Sequence, residues 1–152
     1  MVIFMIKVLF ICHGNICRSV MAEMILKDII SKKELKDKIM CDSMAVSSEE
    51  IGNGIYPNAL RELNRRNVKT YPHKATRFKA SDYENYDYIL CMDYSNLYRL
   101  KLTKEDVNNK YSLLLKFTGT DDEISDPWYT RNFSLCFDDL KRGIDAFLKH
   151  VL

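Results

Sequence analysis

Glycine and proline are scarce in this chain of 152 residues, at five and three. That scarcity excludes a collagen-like repeat and long flexible segments. Neither sign of charge prevails: 23 basic against 21 acidic side chains leave a formal charge of +2. That is too balanced for a protein gripping nucleic acid through its phosphates, and no nucleic-acid partner is expected. No apolar run approaches the roughly 20 residues that cross a bilayer, so no membrane partner is expected either. The longest candidate, Val2–Cys12, is broken by Lys7. The opening Met1–Ile6 has neither a basic start nor a small-residue cleavage site, and the segment reads as a buried strand. The five cysteines (Cys12, Cys17, Cys41, Cys91 and Cys136) are odd in number and lack the CxxC repeats of a zinc ribbon. Free thiols in a reducing compartment, hence the cytoplasm, are the expectation. No His/Cys/Asp spacing repeats a ligand pattern, so neither metal nor other cofactor is expected.

What is present is a chain with 47% apolar and 29% charged residues, enough to bury a core of its own as one domain over residues 1–152. Val8–Cys12 is a continuous apolar run, the mark of a strand covered on both faces. A helical pattern follows, with Met21, Met24, Ile25, Ile29 and Ile30 on one side and Glu23, Lys27 and Ser31 on the other. Ser19 is a candidate N-cap, and Glu23 falls in the first turn, where the helix dipole favours a carboxylate. Further strands are expected over Ile39–Ser43, Tyr86–Met92 and Tyr111–Phe117. Helices are expected over Asn58–Asn67, after Asp93, and over Ser134–Leu152, the last burying Leu135, Phe137, Leu140, Ile144, Phe147, Leu148 and Val151. Arg61, Arg65, Arg66 and Lys69 read as a solvated basic helix end. Strands alternating with helices predict an α/β fold: a four-stranded, mostly parallel sheet with helices on both faces, Rossmann-like or flavodoxin-like. Thr118–Phe133 has no periodicity, yet carries an Asp-Pro-Trp-Tyr cluster at Asp126–Tyr129. A loop that long in a compact domain is expected to be functional.

In such sheets ligands bind beyond the carboxyl ends of the strands, which directs attention to the turn after the first strand. Backbone N–H groups at a helix N-terminus bind phosphate-like anions. The turn from Cys12 to Arg18 can curl its N–H groups around a tetrahedral oxyanion as a nest. Gly14 and Asn15 tolerate the left-handed conformations such a curl needs. Arg18 can hold two oxygens bidentately. The same positive field favours the thiolate form of Cys12, so one loop would hold both the dianion and a nucleophile. The turn has one glycine and no Gly-Lys-Ser/Thr, which excludes a Walker loop, and it lacks the three glycines of a dinucleotide fingerprint.

The stretch Ile11–Ser19 (ICHGNICRS), followed by Ala22-Glu23, resembles the signature of the low-molecular-weight protein tyrosine phosphatases, and the likeness covers nearly the whole chain. Asp42-Ser43 resembles the family's second motif, Tyr86–Asp93 its third strand, and Asp126-Pro127 with two following aromatics its general-acid loop. The resemblance implies a phosphatase acting on a phosphotyrosine protein or a small phosphate ester. Cys12 would attack phosphorus and form a cysteinyl-phosphate. Arg18 and the N–H groups from His13 through Gly14, Asn15, Ile16 and Cys17 to Arg18 would hold the phosphate oxygens. His13 would contribute its backbone rather than its ring. Asp126 would protonate the leaving group and then activate water. Ser19 would stabilise the Cys12 thiolate, with Asn15, Ser43 and His73 bracing the loop.

The same resemblance leaves three rivals. Arsenate reduction needs a relay of two further cysteines on a mobile loop, and Cys41, Cys91 and Cys136 form no such pair. The phosphoarginine branch tends to carry threonine at position 16, whereas Ile16 resembles the tyrosine-specific branch. A non-catalytic phosphate-binding module would not need Cys12, Arg18 and Asp126 together. Two departures from the family pattern stand out. Val20 occupies the place of a proline, and Ser47–Ile51 lacks the aromatic that many relatives set beside the pocket. Counting places Glu49 at that position, so the pocket walls are expected from Ile16, Glu49, Trp128 and Tyr129.

Overall fold

A computed structural model describes residues 4–152. Four strands, β1 (Ile6–Cys12), β2 (Ile39–Ala45), β3 (Tyr88–Cys91) and β4 (Tyr111–Leu113), form one sheet in the order β2-β1-β3-β4. Every pairing is parallel, with Cys12 opposite Ala45 and Ile11 opposite Cys91. Helices α1 (Arg18–Lys32), α2 (Pro57–Arg65), α3 (Tyr94–Thr103), α4 (Pro127–Thr130) and α5 (Phe133–Val151) connect them. Alternate residues of β1 feed two cores. Val8 and Phe10 pack with α1, α2 and α5 on one face. Leu9 and Ile11 pack with Phe78, Tyr83 and Leu100 on the other. The expected fold class holds, and the strand order places the switch point between β1 and β3, where the turn after Cys12 opens.

Several expectations needed correction. The expectation of a buried strand from the chain's start concerns residues partly outside those described; of the rest, Phe4 and Met5 are exposed and the strand starts at Ile6. The fourth strand stops at Leu113, and Leu114–Thr118 turns into a 3₁₀ helix. Leu114 and Leu115 are both fully buried, which a strand cannot do on one face for consecutive residues. The turn sends both toward α5, where a Cβ on Gly143 would stand 2.7 Å from Leu114 Cγ. The third strand is confined to Tyr88–Cys91, because Tyr86 donates its hydroxyl to Asp42 and Asp87 bonds Lys7 through backbone and side chain. Leu135 is exposed, while the next residue, Cys136, takes the buried position.

Pro57 opens α2, one residue before the expected start, because its fixed φ suits the first helical position. The basic end of α2 is not simply solvated. Arg66 lies 4.5 Å over the Phe137 ring, pairs with Asp138 at 2.9 Å and shares Glu62 with Arg65. Arg61 and Lys69 are exposed. Among the described residues no helix is long and apolar enough to cross a membrane.

Candidate active site

Cys12 ends β1 almost fully buried, and the next residues bend back before α1 begins at Arg18. Asn15 alone in this turn takes the left-handed conformation, at φ 62°. Gly14 does not, contrary to expectation. Its missing side chain gives room instead, since a Cβ there would press against Glu50 Cγ at 3.2 Å. The loop carbonyls are tied outward by other segments. Val46 N–H donates to Cys12 O at 3.1 Å, and Ser47 donates to His13 O from both N–H and Oγ. His73 Nε2 donates to Asn15 O at 2.8 Å, and Tyr56 N–H to Ile16 O at 2.9 Å. With these four oxygens engaged by other segments, the loop amides are candidates for an anion nest.

Behind the loop runs a chain of side-chain bonds. Thr76 N–H donates to Asn15 Oδ1 at 3.2 Å, fixing the amide so that Nδ2 donates to Ser19 Oγ at 2.8 Å and Ser43 Oγ at 2.9 Å. Ser43 Oγ in turn donates to Glu23 Oε1 at 2.5 Å. The Ser19 hydroxyl hydrogen is thereby available to Cys12 Sγ, 3.0 Å away, and Asn15 N–H approaches the same sulfur at 3.3 Å. The N-cap expectation for Ser19 fails: α1 starts at Arg18, Cys17 is its N-cap, and no side chain caps it. Glu23, expected in the first turn and on the solvent side of α1, lies beyond that turn and is only 7% exposed, held between Ser43 and Lys27.

Arg18 is 2% exposed. Its Nη1 donates to Asp93 Oδ2 at 2.7 Å and Ile124 O at 2.8 Å, and its Nη2 reaches Asp126 Oδ2 at 3.4 Å. Burial opposes the Arg18 charge, but Cys12, Asp93 and Asp126 outweigh it and hold its pKa above the ordinary arginine value. Asp93 divides its carboxylate: Oδ2 serves Arg18, while Oδ1 accepts from Asn96 N–H and caps α3. Asp126 caps α4 by accepting from Trp128 N–H at 3.0 Å. Ile124 N–H donates to Met92 O, which ties the acid-bearing segment to the end of β3.

These groups meet in one cavity of about 140 Å³. Cys12, Cys17 and Arg18 line it with His13, Gly14, Ile16, Asp126, Trp128, Tyr129 and the neighbouring carboxylates Glu49 and Glu50. A model of the family described as low molecular weight phosphotyrosine protein phosphatase matches residues 7–152. The chain belongs to that family. A Bacillus subtilis member, the low molecular weight protein-tyrosine-phosphatase YfkJ, is 34% identical over 150 residues, covering 97% of this chain and 96% of the relative. The YfkJ crystal structure superposes with a TM-score of 0.92 over 97% of this chain and 95% of its own. The Sus scrofa low molecular weight phosphotyrosine protein phosphatase is 34% identical, covering 95% of each chain. A solved Drosophila arginine phosphatase has 30% identity and a TM-score of 0.86, covering 95% of this chain and 97% of its own.

In this family member every residue expected at the anion loop, the acid loop and the pocket wall lies around the one cavity or, as with Asn15, Ser19, Ser43 and His73, directly behind its loop. His13 and Glu49 both line the cavity, and His13 Nε2 meets Glu49 Oε2 at 3.1 Å. Sequence reasoning missed Asp93, Glu23 and Glu50 as parts of the site. An acid at the carboxyl end of a central strand was the available signal for Asp93. For Glu23 the signal pointed the wrong way, since a carboxylate on a helix is ordinarily exposed.

Proposed function

We propose that this protein is a protein-tyrosine phosphatase, hydrolysing phosphotyrosine on proteins and small aryl phosphates in the cytoplasm through a cysteinyl-phosphate. The convergence of Cys12, Arg18 and Asp126 on one cavity walled by Trp128 carries the reading. The Cys12 thiolate attacks phosphorus in line with the phenolic oxygen. The S–P bond forms as the P–O bond breaks, and Asp126 gives its proton to the departing oxygen. Arg18 and the loop amides hold the three equatorial oxygens as charge shifts. Water, losing a proton to Asp126, then attacks phosphorus and releases phosphate and the thiolate. The Ser19 hydroxyl supports the sulfur as leaving group, with Asn15, Ser43 and His73 bracing the loop.

The fold is shared with an arginine phosphatase, so overall likeness does not choose the substrate. The aromatic ring of Trp128 and the aliphatic Ile16 in the cavity favour a flat aryl ester. Turnover of para-nitrophenyl phosphate in the presence of a chelator tests the reaction. Cys12→Ser is expected to abolish it. Asp126→Ala is expected to lower kcat/KM on phenyl phosphate, a poor leaving group, by roughly 10²-fold or more, and by less on para-nitrophenyl phosphate. Equal losses on the two esters would refute the acid assignment.

A further inference from the structure

The helix that carries the proposed acid cannot hold itself. With four residues, α4 is far below the length at which a helix is stable alone. It ends at Arg131, which sits in the left-handed region at φ 61°, a costly conformation for a residue with a Cβ. Contacts outside α4 therefore fix its place: Arg18 reaches Asp126, Ile124 is tied to Met92, and Tyr56 meets the rest of the helix. Its ring meets the Trp128 ring edge-on at 4.9 Å and stacks on Phe133 at 5.9 Å. Its hydroxyl accepts from Arg131 Nη1 at 2.8 Å, and the same guanidinium lies over both rings, 5.9 Å from Tyr56 and 5.6 Å from Trp128. The backbone of Tyr56 faces the other way: its N–H donates to Ile16 O in the anion loop.

One residue thus touches the loop that would hold the phosphate and the helix whose N-cap would supply the proton. We propose that Tyr56 is a positioning residue that sets Asp126 relative to the anion loop, acting through Trp128 and Arg131. The proposal rests on the phosphatase reading above. Trp128 N–H bonds the Asp126 carboxylate directly, so a shift of the Trp128 ring is passed to the acid within two residues. Tyr56 makes no contact with the reacting atoms and lies outside the cavity lining. Its loss should act on the proton delivered to the leaving group and spare the nucleophile.

The test compares Tyr56→Leu, Tyr56→Phe and Arg131→Asn, the last chosen because asparagine tolerates the left-handed conformation. Three readouts are taken: kcat/KM on phenyl and para-nitrophenyl phosphate, the rate of Cys12 alkylation by iodoacetate, and Trp128 emission. Trp128 is the sole tryptophan, so the emission reports the surroundings of this ring. Tyr56→Leu is expected to lower kcat/KM on phenyl phosphate about tenfold and on para-nitrophenyl phosphate by less than about threefold. Alkylation of Cys12 should be unchanged and Trp128 emission shifted to the red. Tyr56→Phe and Arg131→Asn should show the same leaving-group bias at roughly two- to threefold. If Tyr56→Leu fails to fold, the bias in these two variants decides. Equal losses on both esters, no losses, or slowed alkylation in step with turnover would overturn the proposal. A wild-type chain inert on both esters would instead overturn the phosphatase reading itself. Bias in Asp126→Ala without bias in the Tyr56 and Arg131 variants would overturn the clasp alone.

Discussion

Raising the pH should destabilise this protein through its buried thiols. Burial pushes Cys17 up to about 12 from an ordinary 9.0, with Cys12 and Asp126 adding to the effect. Burial likewise pushes Cys91 up to about 12, reinforced by Asp93, and moves Cys41 and Cys136 upward as well. Each thiol keeps its proton in the folded chain over a range where the unfolded chain has lost it. The folded state therefore binds more protons, and stability, intact below pH 9, falls as pH rises toward the folded pKa. At pH 10 the loss is roughly 1–2 kcal/mol for each thiol, or on the order of 5 kcal/mol for the set. That is comparable with the whole stability of an ordinary domain, about 5–15 kcal/mol. Tyr86 and Tyr111, raised chiefly by burial, steepen the decline further above pH 10. Urea unfolding under reducing conditions at pH 7, 8.5 and 10, followed by far-ultraviolet circular dichroism, measures the slope. Cys91→Ala should lower stability at pH 7 yet lose roughly 1–2 kcal/mol less than the parent between pH 7 and 10. A flat free energy across that range, or parallel curves for Cys91→Ala and the parent, would refute the argument.

Glu49→Trp should raise kcat/KM on phosphotyrosine relative to an alkyl phosphate by roughly two- to twelvefold, since it adds a ring to the cavity wall and removes a carboxylate. Unchanged aryl-to-alkyl selectivity in steady-state assays would show that position 49 does not meet the substrate ring. Gly143→Ala should lower stability despite alanine's better helix propensity. The new methyl would meet Leu114 Cγ at 2.7 Å, and overpacking typically costs about 1–3 kcal/mol. Calorimetry should show the melting temperature down by several degrees, roughly 2–4 °C per kcal/mol at this size.

The sequence made the anion loop legible because its parts are contiguous: a strand, a turn and a helix start within Val8–Ser19. Asp126 stood out because it lay in a stretch without periodicity beside a proline and two aromatics. What escaped reading depended on partners far along the chain. Asp93 reads as a helix cap, and it is one, but its second oxygen serves Arg18, 75 residues earlier. Glu23 matches the polar side of an amphipathic helix until Ser43 is brought beside it by the parallel pairing of β1 and β2. The run Tyr111–Phe117 has strand composition throughout. The break after Leu113 comes from the packing of α5 and leaves no local trace. Tyr56 carries no motif at all, and its contacts come from rings that meet across 72 and 77 residues of chain.

The outward anchoring of the loop carbonyls has a consequence for descent. Val46, Ser47, Tyr56 and His73 hold the oxygens of Cys12, His13, Ile16 and Asn15, so the loop's path is held through its peptide groups together with the Asn15 side chain. The rim residues His13, Glu49 and Glu50 meet the solvent side of the same cavity without supplying those anchoring bonds from their side chains. A lineage can exchange the rim, and with it the molecules it accepts, while inheriting the cradle unaltered. Choice of client and capacity for chemistry are thus separately mutable in one short stretch of chain.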